Sequence, residues 1–139
     1  MRRGGAPILL GLAAALVLAG CGGGSSKPYT AAATAPCMRT KGFTKVTTDP
    51  LKVGFVAGFA QNGGLRATAK GGRNVVTIAF AADASGVPGT EEAFKKHASG
   101  IYKRHIADVM RSHGNAVLVW TVTPTETQLD DAVSCLRSS

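Results

Sequence analysis

Three histidines and three cysteines are the side chains in this sequence best suited to hold a metal, move a proton or act as a nucleophile. His97, His105 and His113 recur every eight residues. On a helix that step advances the chain about 12 Å and turns it about 80°, whereas ligands to one ion sit about 2 Å from it. The three cannot share an ion, so no metal site and no cofactor are expected. Helical projection places His105 beside Phe94, Ala98, Ile101 and Val109, inside an apolar face, which reads as a core histidine. His113 falls at the C-terminal end of the same predicted helix, where a cation meets the helix dipole. His97 falls at the edge of the apolar face.

Covalent catalysis needs a nucleophile beside a base that is itself oriented by a third group. No G-x-S-x-G elbow occurs, and the histidines have no marked nucleophile. Paired-carboxylate chemistry has only eight acids to draw on. Glu91-Glu92 and Asp130-Asp131 are predicted to open helices, where the dipole accounts for them. Gly63-Gly64 and Gly71-Gly72 fit no phosphate-loop spacing. The residue inventory therefore points away from an enzyme.

The first cysteine has a different setting. Arg2 and Arg3 precede an apolar run of twelve residues, Ile8 to Ala19, too short for the roughly 20 that cross a bilayer as a helix. Basic start, short apolar stretch and small residues make the pattern of a secretory leader. Leu18-Ala19-Gly20-Cys21 resembles the lipobox of bacterial lipoproteins at all four positions. That resemblance implies cleavage before Cys21, a diacylglyceryl group on its thiol, and a lipid-anchored extracytoplasmic protein. It covers only the first 21 residues. The expected organisation is a signal peptide over 1–20, the lipidated cysteine with a flexible glycine-rich tether over 21–35, and one domain over 36–139. Cys37 and Cys135 remain, and in an oxidising compartment they are expected to form a disulfide closing nearly the whole domain.

The formal charge is +8, from 16 basic and 8 acidic side chains; without Arg2 and Arg3 it becomes +6. A basic exported domain suits anionic lipid headgroups or an acidic wall polymer. Lys96, Lys103, Arg104 and Arg111 fall on the polar side of one predicted helix and are the candidate basic face. No nucleic-acid motif accompanies the charge, and the export signal argues against such a partner.

These residues must be positioned by a mixed set of elements. A short helix is expected over 34–42, with Pro36 in its first turn, and a strand over 43–47. A weak helical pattern over 51–61 follows. Strands over 65–70 and 74–82 are joined through Gly71-Gly72, read as a two-residue turn. Thr90 is expected to cap one long helix that Gly114 stops. An apolar strand over 115–123 precedes a last helix whose capping box is placed at Thr123–Glu126. The fold class is α+β, a small sandwich whose middle elements follow the βαββαβ order of a ferredoxin-like domain, with an extra helix at each end. A different α+β sandwich is the alternative.

The strand over 115–123 is apolar on both faces. Val117 and Val119 on its second face form a candidate contact surface for a protein partner or a second copy. Trp120 and Tyr102 are the candidate lining of an apolar pocket between sheet and helix. The two functional expectations are thus an envelope lipoprotein that binds protein, with its second sheet face exposed, or a small-ligand or lipid carrier, with that face closed over a cavity.

Overall fold

The structure is a computed structural model and describes residues 26–139. The leader and Cys21 lie outside the described residues. Five helices and five strands follow in the order α1 Ala31–Thr40, β1 Thr44–Thr47, α2 Phe55–Gly58, β2 Gly64–Thr68, β3 Val75–Phe80, α3 Val87–His97, α4 Gly100–Val109, β4 Met110–His113, β5 Ala116–Trp120 and α5 Glu126–Ser134; a single 3-10 turn, Ala84–Gly86, leads into α3. The class is mixed α+β, as expected.

The strands form one sheet in the order β1-β2-β3-β5-β4, and every pairing is antiparallel. In a split βαβ arrangement the first two strands run parallel with a third strand between them, whereas here β1 and β2 are adjacent and antiparallel. The ferredoxin-like pairing is therefore corrected: β1, β2 and β3 form a meander, and β5 pairs with β3. Period-two alternation divides the sheet into two faces. Leu65, Ala67, Val76, Ile78, Ala116, Leu118 and Trp120 face one way and form the main core with Ala31, Ala35 and Met38 of α1, and with Ala132, Cys135 and Leu136 at the chain's end. The terminal helices are thus the cover of the principal sheet face rather than additions to a finished sandwich.

Cys37 and Cys135 are disulfide-bonded across a sequence separation of 98, with Cα atoms 5.3 Å apart. The ends of the described segment are also tied by backbone: Tyr29 bridges to Ser138, and Thr30 N–H donates to the Arg137 carbonyl at 2.9 Å. Residues 26–139 hence hold their core, their staple and both their ends, and form a self-contained folding unit. The tether expected to run to residue 35 gives way by Thr30, whose hydroxyl caps α1 by accepting from Ala33 N–H; Pro36 lies within the helix, beyond its first turn.

The largest departure from expectation lies between residues 86 and 114. One long helix was predicted; the chain forms two, separated at Ala98-Ser99, then a strand. Ala98 is extended (φ −65°, ψ 135°), and Gly100, a poor helix former, opens α4. Thr90 does not cap the helix; its hydroxyl lies in the second turn and donates to the Gly86 carbonyl. Met110–His113 pairs with β5, and Gly114 is the first of the two residues linking His113 to its partner Ala116. Its φ of 57° is the positive value that a type II′ hairpin turn takes at that position. Gly114 is a hairpin glycine, not a helix stop. The Gly71-Gly72 hairpin is wider than expected, since Ala69 N–H and the Asn74 carbonyl close the loop. The final capping box is real but starts two residues later: Thr125 and Gln128 exchange their side-chain and backbone bonds.

Candidate functional site

The second sheet face carries Arg66, Val75, Thr77, Ala79, Val117 and Val119, the residues that alternate with the main core. It is covered by α2, α3 and α4, but incompletely. At one end Val53 and Ala57 are fully buried against Ala79, with Val56, Ala60 and Phe94 packed around them. Beyond that contact the helices stand away from the strands, and a cleft of about 370 Å³ separates them. Its floor is Val75, Thr77 and Val119 on the sheet; its walls include Val53, Phe94 and Ile106. Phe55, His97, Ser99, Tyr102 and Arg66 line it and are exposed, so they form its mouth. The break at Ala98-Ser99 is what places those two residues on the cleft wall.

This geometry decides the fate of the sequence candidates. Val117 is fully buried and Val119 half-buried beneath the helices, so neither offers a surface to a partner. The proposed contact face is corrected, because the helices cover the strand's second apolar side. Tyr102 and Trp120 both line the cleft. Tyr102 is 40% exposed at its mouth, whereas Trp120 is buried and also belongs to the main core. The indole N–H of Trp120 is buried without a hydrogen-bond partner among the described residues.

The basic residues do not make one helix face. Lys96 is on α3, Lys103 and Arg104 are on α4, and Arg111 is on β4. The Arg111 guanidinium donates to the carbonyls of Ala107 (3.4 Å), Asp108 (3.1 Å) and Met110 (2.9 Å), satisfying the C-terminal end of α4. The chain's turn from helix to strand at Met110 broke the expected projection. The histidines are re-sorted for the same reason. His105 is exposed, with Nδ1 3.6 Å from Asp108 Oδ2, and is not a core residue. His113 stacks on Tyr29 from strand β4, at a ring separation of 6.1 Å. His97 packs against Phe55, ring centres 4.7 Å apart. Among the described residues no three His, Cys, Asp or Glu side chains gather as metal ligands, and no helix is long and apolar enough to cross a membrane.

Two cleft features escaped the sequence reading. Phe55 and Phe59 are exposed by 64% and 79% and pair at 5.1 Å beside the mouth; the helical spacing over 51–61 falls on Val53, Val56, Ala57 and Ala60 and leaves them out. Arg66 sits in a strand whose flanking residues, Leu65 and Ala67, point into the main core. Alternation alone would have placed it on the second face. The Ser99-Gly100 pair was the available signal for the helix break that shapes the wall. No protein-family model, curated protein or solved structure matches the chain.

Proposed function

We propose that this chain is a lipid-anchored extracytoplasmic lipoprotein whose domain carries a small apolar or amphiphilic ligand in the cleft between the second sheet face and α2–α4. The single observation that supports the carrier over the protein-binding reading is that cleft of about 370 Å³ beneath the helices. Small-molecule sites are concave, mostly apolar and about 300–1,000 Å³ in volume, and this one falls at the lower end of that range. The lipobox at Leu18–Cys21 supports the anchor. A lipid-linked domain standing beside a bilayer is well placed to take up or deliver such a ligand, and its net positive charge favours an anionic surface.

A second reading, contact with a protein, draws on a different observation. Leu51, Phe55 and Phe59 come from one short segment and are exposed by 94%, 64% and 79%. Such a patch is more apolar than solvent exposure favours.

Native mass spectrometry of residues 26–139, exported without the lipid and purified without detergent, separates the two. A monomer with extra non-covalent mass that organic solvent extracts supports the carrier and identifies its cargo. A bare protein that also takes up no added fatty acid, lysolipid or neutral amphiphile overturns it. For the anchor, Cys21→Ala in the full chain is expected to abolish acylation and release the protein from the membrane fraction; continued acylation would overturn that assignment.

A further inference from the structure

The charge inside the cleft is one-sided. Among its lining residues Arg66 is the one permanent charge, and no Asp or Glu is present. Arg66 makes no ion pair and no side-chain hydrogen bond among the described residues. A guanidinium without an acidic partner at the mouth of an apolar cleft is suited to meet an anion. Its planar fork matches carboxylate and phosphate oxygens two at a time.

Strand register supplies a direction. Arg66 lies opposite Thr77, and Thr77 opposite Val119, so the three form one row across the second sheet face. Neighbouring strands lie about 4.8 Å apart, which puts Arg66 and Val119 roughly 10 Å from each other across the floor. The row therefore runs from a charge, through a hydroxyl, to an apolar end, in a cleft that Ile106 and Tyr102 of α4 also line. A ligand that satisfies both ends has an anionic head and an apolar chain.

Resting on the carrier reading above, we propose that the cleft binds a single-chain anionic amphiphile, with its carboxylate or phosphate head on Arg66 and its chain along Thr77 and Val119 toward Ile106. One chain is argued from the volume, which is small for a ligand site.

The test is titration calorimetry of residues 26–139, stripped of bound lipid, with dodecanoate, dodecyl phosphate, dodecyl maltoside and dodecyltrimethylammonium, each below its micellar concentration. The expected result is at least tenfold tighter binding of one or both anionic probes than of the neutral and cationic ones. A tighter dodecanoate assigns a carboxylate head, and a tighter dodecyl phosphate assigns a phosphate. Arg66→Gln is expected to remove that preference, with an unchanged far-ultraviolet circular dichroism spectrum and a cooperative thermal transition reporting that the variant is folded. Equal affinity for all four probes would overturn the head-group assignment while leaving the carrier reading intact. An anionic preference that survives in Arg66→Gln would overturn the role of Arg66. Absence of binding by any probe would overturn both.

Discussion

Asn115 is buried, and its amide does three jobs: Nδ2 donates to the Tyr29 carbonyl at 2.9 Å and the Ala81 carbonyl at 2.7 Å, while Oδ1 accepts from Tyr29 N–H at 2.7 Å. It joins the first residues of the domain to the end of β3 and to the β4–β5 hairpin. Asn74 acts similarly at the other end of the sheet, bonding Val122, Thr121 and Gln128. A buried backbone group stripped of its partner costs about 1–3 kcal/mol. Asn115→Ala is therefore expected to lower unfolding free energy by about 2–4 kcal/mol, read as a fall in the urea midpoint at unchanged slope. Asp83 offers a pH-dependent example. Hydrogen bonds from the Ser85 hydroxyl and then the Ser85 N–H hold its carboxyl below the ordinary aspartate value. A lowered native value means the turn into α3 is held with Asp83 ionised and loosens as pH falls through it. NMR titration of the carboxyl carbon should show that value rise toward the ordinary one in Ser85→Ala. Neither asparagine stood out in the sequence, because each draws its partners from segments 34 to 86 residues away.

The elements divide into a stapled side and a loose side. On the first face α1 and α5 bury their apolar residues against the sheet and are cross-linked by Cys37–Cys135. A disulfide closing a loop of about 100 residues contributes about 4.7 kcal/mol in the chain-entropy account. The Cys37→Ser, Cys135→Ser double variant is expected to lose stability of that order, seen as a marked fall in Tm. On the second face α3 has no fully buried residue, and of the two residues that α4 buries, Ile106 and Val109, the latter packs in the main core. Few buried contacts mean a low local opening free energy. Amide hydrogen exchange is expected to be fastest in α3 and α4 and slowest in β3 and β5. The alternation of β3 and β5 was readable at this level, because it is local. The caps and glycine turns were read only in part: Thr90 caps no helix, the last capping box starts at Thr125, and Gly114 turns a hairpin. The fate of residues 98–113 was not readable. Ile101, Ile106 and Val109 satisfy helical spacing, and the strand Met110–His113 exists because β5 offers it an edge to pair with.

Taken together, the molecule is a sheet with one sealed face and one cleft-bearing face, and the loose helices are the roof of the cleft. A ligand bound there couples the two. At a hundredfold excess over Kd it adds about 2.7 kcal/mol of stability by mass action. The tightest probe of the four dodecyl compounds is thus expected to raise Tm and to slow exchange in α3 and α4 before it does so in α1 or α5. Uniform protection, or none, would place the ligand elsewhere. The export leader, the lipobox cysteine, the pairing of the two remaining cysteines and the α+β class were all expected from residue types and short-range patterns. Of these, the disulfide and the class are present in the structure. The strand order, the burial of Val117 and the pairing of Arg66 with an apolar floor came only with the folded chain. Each depends on which distant segment lies across the sheet from which, and local spacing carries no information about that.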